Sequence, residues 1–235
     1  MKSIILKISE YKEKDAIINA INENGIITFI AKGVRGAKSK YLALNNPLSI
    51  VDLNFVDNPK YKYPVLKDAD VLYSPLNLMG NLKELGLVML LSDLINNMLQ
   101  DEEKLVVFQY ILSSLEDIYK NKRVNENILF LIFKFLNTTG FSFSVSSCVG
   151  CNSKNDIVNF SLNEGGFLCR KCNNKERIIA SGNDLLKIRA IISSNDNKFN
   201  FEPLEDNVFD SILKETILFI EDNFGLNIKN KEILL

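Results

Sequence analysis

The chain has 235 residues, 46% of them hydrophobic and 24% charged, and its 28 Lys+Arg against 29 Asp+Glu leave a formal net charge of −1. This length and composition suit one or two globular domains and argue against a globally basic nucleic-acid tail, while leaving local patches open. Histidine is absent, which excludes Ser-His-Asp triads, Cys-His nucleophiles, Cys-His zinc fingers and His-ligated deaminase centres.

The opening apolar stretch is broken at Lys7 and has no small-residue cleavage site, so no signal peptide is expected. The most apolar run, Ile128 to Leu136, contains Lys134 and falls well short of the roughly 20 residues a membrane span needs. We read a cytoplasmic protein, in which a reducing environment makes structural disulfides an unsuitable role for the cysteines.

Residues 1–75 read as strands: Lys2 to Ser9, Ala16 to Ile21, Ile26 to Ala31, Pro47 to Asp57 and Tyr61 to Tyr73, punctuated by the turn signals Asn22 to Gly25 and Asn58-Pro59. Five short strands with no intervening helix predict a small barrel, and periodicity alone leaves an SH3-like barrel open. At Ser74-Pro75 the period changes. Leu76 to Leu99, Glu103 to Tyr119 and Asn125 to Asn137 carry helical spacing, the last stopped by Gly140. Residues 141–177 break that pattern and hold every cysteine. Helices resume at Ser181 to Ser193, capped by Ser181, and, after the polar loop Ser194 to Asn200, at Pro203 to Phe224, with Gly225 as C-terminal cap. Net charge is +3 over 1–75, −2 over 76–147, +2 over 148–177 and −4 over 178–235. Positive charge therefore gathers on the barrel and the cysteine segment.

Cys148-x-x-Cys151 and Cys169-x-x-Cys172 are separated by seventeen residues. Two such knuckles can offer four thiolates tetrahedrally to one Zn²⁺, with Gly150 easing the first turn and no position left open for a catalytic water. The expected cofactor is one structural zinc. A second constellation is Ala31-Lys32-Gly33-Val34-Arg35-Gly36-Ala37-Lys38-Ser39-Lys40, four cations without an acid. It is not a P-loop, because Ala37 stands where glycine must precede the lysine and no clear helix follows. On a barrel with Phe29, Tyr41, Tyr61 and Tyr63 nearby, these cations suit phosphates and the aromatics suit base stacking, although each ring serves a core equally well. Arg170, Lys171, Lys175 and Arg177 form a second basic group on the cysteine segment. Phe199, Phe201, Phe219 and Phe224 fit either helix packing or a partner surface. No carboxylate pair has spacing suited to acid–base catalysis.

Lys7 to Asp15, the run Gly25-Ile26-Ile27-Thr28-Phe29-Ile30-Ala31-Lys32-Gly33-Val34-Arg35, Gly140-Phe141-Ser142-Phe143 ahead of Cys148-Val149-Gly150-Cys151, and Phe160-Ser161 through Gly165-Gly166-Phe167-Leu168-Cys169-Arg170-Lys171-Cys172 together resemble the RecO family of bacterial recombination mediators. The resemblance spans nearly the whole chain. It implies an α+β multidomain protein: an N-terminal OB-fold β-barrel that binds DNA (1–75), followed by an all-helical domain (76–235) with an inserted four-cysteine zinc module (141–177). It implies binding of single- and double-stranded DNA, strand annealing and, with RecR, help in loading RecA onto strands coated with SSB. Such a protein is not an enzyme, lies near the nucleoid, and takes neither a membrane nor a small-molecule substrate. By the resemblance, Lys32, Arg35, Lys38 and Lys40 fall on the basic DNA-binding stretch, and Cys148, Cys151, Cys169 and Cys172 on the zinc ligands. It carries over no residue for RecR contact. A protein-interaction scaffold or regulator without annealing activity is the alternative reading.

Overall fold

The computed structural model describes residues 1–36, 39–56, 59–174, 182–228 and 231. It divides into two compact units, Met1–Lys122 and Arg123–Leu235.

The first unit is built on β1 (Lys2–Tyr11), β2 (Asp15–Asn22), β3 (Gly25–Ala31), β4 (Ile50–Val56) and β5 (Val65–Tyr73). They close in the order β1-β2-β3-β5-β4, with β4 antiparallel to β1 and a parallel contact between β3 and β5 at Ile30 and Val65. A five-stranded Greek-key closure of this kind is an OB-fold, and a meander pairing β3 with β4 is excluded. The interior is filled by Ile5, Ala16, Ile18, Phe29, Val51 and Leu53 among others. Full burial of an aliphatic or aromatic side chain of this size contributes about 1.5–3 kcal/mol. Phe29 lies in this core, its ring 5.1 Å from that of Phe55, so it is a packing residue and not a stacking surface. Register shifts between Asn54 and Phe55, and between Ile50 and Val51, explain the imperfect alternation of β4. The segment Tyr61 to Tyr63 is not strand but belongs to the β4–β5 connection, with β5 beginning after Pro64.

A 3-10 turn at Pro75–Leu78 precedes α1 (Leu82–Met98), and α2 (Asp101–Ile118) follows. The helix expected from Leu76 thus begins later: Asn81 accepts the N–H of Glu84 and caps the new start. At α2 the Gln100–Glu103 capping box moves the start ahead of Glu103. Both helices pack on the barrel. Asn96 donates to the Leu6 carbonyl at 3.1 Å, and the buried Tyr119 hydroxyl donates to the Leu48 carbonyl at 2.9 Å.

The second unit contains α3 (Val124–Thr138), the antiparallel hairpin β6 (Ile157–Ser161) and β7 (Gly166–Cys169), α4 (Asn183–Ser193) and α5 (Asp206–Phe224). Ser181, expected as the cap of α4, lies outside the described residues; α5 ends at Gly225 in the left-handed conformation, as a C-terminal cap requires. A run of tilted and edge-to-face rings, Phe167, Phe160, Phe133, Phe143, Phe219, Phe141 and Phe224, joins the hairpin to α3 and α5. Phe199 packs on Phe130 and Phe201, with the Arg123 guanidinium 4.9 Å from the Phe201 ring. The four C-terminal phenylalanines therefore pack within this unit. Lys187 is buried, donates to the Pro203 carbonyl at 3.0 Å and lies 3.5 Å from Asp184, so it is committed internally, whereas Arg189 is exposed.

Candidate nucleic-acid interface and metal centre

The glycine-containing loop after β3 folds back on the β1–β2 turn. Arg35 N–H donates to the Lys14 carbonyl at 3.0 Å and Gly33 N–H to Asp15 Oδ1 at 2.9 Å. Val34 is fully buried and its carbonyl accepts from Asn45 at 2.8 Å, which anchors the loop to the 3-10 turn Leu42–Asn45. Residues 33–35 are thus held as a fixed rim of the barrel mouth.

Its cations differ in availability. Lys32 is exposed, with its ammonium 4.8 Å from the centre of the Tyr61 ring. Arg35 pairs with Glu10. Lys40 pairs with Asp68 at 3.1 Å and lies over the Tyr41 ring at 4.5 Å. The Tyr41 hydroxyl donates to the same carboxylate, so Tyr41 first and Lys40 second hold the Asp68 carboxyl below the usual range. Tyr41 and Asp68 likewise raise the Lys40 ammonium, which keeps the pair charged at neutral pH. Lys38 lies outside the described residues.

The structure brings further residues to this rim. Lys12 and Lys14 lie in the β1–β2 turn, and Tyr61, Lys62 and Tyr63 lie in the β4–β5 connection. Lys12 approaches the Tyr61 ring at 5.6 Å and the Tyr11 ring at 5.2 Å, and Lys62 approaches Tyr63 at 5.3 Å. Among the described residues, Lys12, Lys14, Lys32 and Lys62 are exposed and lack an acidic partner. The β1–β2 and β4–β5 loops are the ones OB-folds use for oligonucleotides. The alternation Lys60-Tyr61-Lys62-Tyr63 was a readable signal for this rim, but it also resembles a strand.

In the second unit, the four expected ligands come together: all four thiol sulfurs lie within 4.8 Å of one another, and Cys151 Sγ is 3.6 Å from Cys169 Sγ. Tetrahedral Zn–S bonds of about 2.3 Å put sulfurs about 3.8 Å apart. Two tight turns create the arrangement. Cys148 N–H donates to Ser153 and Cys148 C=O accepts from Asn152, both at 2.8 Å, while Cys172 N–H donates to the Cys169 carbonyl at 3.0 Å. A Cβ on Gly150 would lie 3.1 Å from Cys172 Sγ, so a larger residue in the first knuckle would press on that thiol and shift it by a few tenths of an ångström. Burial opposes ionisation of Cys148, but the N–H groups of Cys169, Cys151 and Gly150 outweigh it and bring the thiol down to about 6. Hydrogen bonds with Cys151, Cys148 and Cys169 push Cys172 up to about 12. Four sulfurs competing for few protons, with amides already aimed at one of them, form a donor set for a thiophilic cation.

The hairpin reaches this geometry through Gly165-Gly166. At Gly166, φ is +151° and a Cβ would stand 2.0 Å from the Ser144 carbonyl oxygen. Ser144 instead pairs closely, donating to Gly165 at 2.8 Å and accepting from Phe167 at 2.9 Å. Arg170 lies 3.3 Å from Asp156 and Lys171 is exposed, both beside the cysteines; Lys175 and Arg177 lie outside the described residues.

The family model Recombination protein O N terminal matches residues 1–75, and Recombination protein O C terminal matches 79–232. The chain belongs to the RecO family. It is 27% identical to the DNA repair protein RecO of Clostridium perfringens strain 13, over 98% of this chain and 95% of that one. It is 29% identical to the RecO protein of Acetivibrio thermocellus over 95% and 91% of the two chains. It is 21% identical to that of Bacillus subtilis over 99% and 92%. The order of RecO features along this sequence matches its fold: barrel, helices, then a cysteine hairpin set between helices. Among the described residues, no helix is long and apolar enough to cross a membrane.

Proposed function

We propose that this RecO-family chain is a DNA repair and recombination mediator. In this reading it binds single- and double-stranded DNA, anneals complementary strands and, with RecR, helps load RecA onto SSB-coated DNA, working in the cytoplasm near the nucleoid. The observation that supports it most directly is the pair Lys12 and Lys32 set against the Tyr61 ring, with Lys12, Lys14, Tyr61 and Lys62 on the β1–β2 and β4–β5 loops with which OB-folds grip nucleic acid. We assign DNA binding to residues 1–75 and partner contacts to the helical domain, 76–235. We also assign DNA binding to Arg35, Lys38 and Lys40 and, as a second basic group on the cysteine segment, to Arg170, Lys171, Lys175 and Arg177.

The action is not enzymatic. Two strands repel each other through their phosphates, and cations that neutralise both backbones lower that barrier without reading sequence. The thiol cluster holds one Zn²⁺, which fixes the hairpin that carries Arg170 and Lys171. The test is annealing of complementary fluorescent oligonucleotides by the purified protein without nucleotide triphosphate. Acceleration that fades with added salt supports the proposal, and an unchanged rate overturns it.

A protein-interaction scaffold is the second reading. It draws on Leu82, Val106, Met79 and Met89, which are all more than half exposed.

A further inference from the structure

The rim holds one ring to which two cations from separate loops converge. Tyr61 is half-buried at the barrel mouth, with Lys32 from the end of β3 at 4.8 Å and Lys12 from the β1–β2 turn at 5.6 Å. The other aromatic candidates are differently placed: Phe29 is in the core, the Tyr41 hydroxyl is bound to Asp68, and Tyr63 is approached only by Lys62 among the described residues. Neither Lys12 nor Lys32 has an acidic partner among the described residues.

An exposed cation–π contact is weak, whereas an ammonium–phosphate contact is charge-assisted and releases counterions. A nucleic-acid backbone at the rim therefore draws the two lysines off the ring. The uncovered ring is then a flat apolar surface a few ångströms from two phosphate-bound cations. An unpaired base has a free face to lay on it; a paired base in a duplex does not.

We propose that Tyr61 is a base-stacking platform that single strands engage and duplexes do not, with Lys12 and Lys32 moving from ring to phosphate as the strand arrives. The proposal rests on the DNA-binding reading above and names the part of the strand that this site recognises. Duplexes then bind through phosphates alone, and the difference between the two substrates resides in Tyr61.

The chain contains no tryptophan, so Tyr61→Trp in the full-length protein places one indole at this site as its sole reporter. Three probes of equal length are titrated: a single strand, an abasic single strand and a blunt duplex, each also followed by anisotropy. The proposal expects indole quenching by the single strand and by neither of the others, although all three bind. It also expects Tyr61→Leu to weaken single-strand binding roughly tenfold, the scale of one lost stack, with duplex binding unchanged and Tyr61→Phe close to wild type. Lys12→Ala with Lys32→Ala should weaken single strand and duplex alike. Equal quenching by the abasic strand, or Tyr61→Leu binding the single strand as wild type does, overturns the stacking role and leaves DNA binding standing. Failure of the wild-type protein to bind any of the three overturns both readings.

Discussion

At the scale of single residues, the charge that counts is the charge left without a partner. Arg35 and Lys40 are among the cations proposed to bind DNA, but Glu10 and Asp68 already face them. A phosphate must displace those carboxylates, so each cation counts for less than a full contact. Glu10→Gln and Asp68→Asn should therefore tighten single-strand binding and steepen its log–log salt dependence by up to about 0.7 each. Anisotropy titrations across a salt series measure this; a slope unchanged in both variants would show that these two cations never meet DNA. The fit of charge to partner was not legible in the sequence, because Glu10 and Asp68 lie 25 and 28 positions from the cations they neutralise. By contrast, the four cysteines were legible from spacing alone, since two knuckles fix their own sulfurs locally. Gly166 was visible only as half of a Gly-Gly pair. The structure supplies its reason, the Ser144 carbonyl that a Cβ would strike. Gly166→Ala should lower the melting temperature and loosen metal retention, whereas an Ala at exposed Lys171 should do neither.

Among the described elements, the cysteine hairpin is the one whose stability we expect to depend on a bound ion. β6 and β7 pair over four register positions, too few to persist alone in water. Cys148, Leu168 and Cys169, with Val149 and Ile157 against them, give the knuckles only a small apolar cluster. We expect one tightly held zinc per chain, and Cys169→Ser or a strong chelator should remove it. Amide exchange should then accelerate in β6, β7 and both knuckles, while the barrel strands keep their protection. Elemental analysis finding no zinc in protein purified without chelator would contradict the assignment. The barrel strands were legible because they are short runs rich in β-branched residues bounded by turn signals, among them the Glu23-Asn24 hairpin turn that separates β2 from β3 with Asn22 opposite Gly25. The starts of α1 and α2 were not, because apolar spacing continues through Pro75–Leu78 while the caps, Asn81 and the Gln100–Glu103 box, sit elsewhere. The β6–β7 pair was illegible because strands this short leave almost no period to detect.

For the molecule as a whole, the near-zero net charge conceals a division: positive on the barrel and the cysteine segment, negative over the last 58 residues, 178–235. That division suits a protein that holds DNA by its rim and meets partners elsewhere. The second compact unit spends its aromatic side chains internally, from Phe167 through to Phe224. Any partner contact there must therefore use other residues. Calorimetry of the full chain with RecR and with an SSB-tail peptide checks this: Phe219→Ala should cost stability, and heat of binding should persist with at least one of the two. Absence of heat with both would remove the mediator role while leaving DNA binding intact.

The central claim is that the barrel rim, and not a diffuse surface, carries the DNA. The most direct measurement is the salt dependence of single-strand affinity for wild type and for the full-length variant in which Lys12, Lys14, Lys32 and Lys62 are all Ala. Exposed charges of this kind contribute within about ±0.5 kcal/mol to folding, so the variant should melt near wild type. With each lysine neutralising one phosphate, the log–log slope should become shallower by about 3, all sequences should weaken about equally, and annealing should slow in parallel. A folded variant with the wild-type slope and annealing rate would contradict the account.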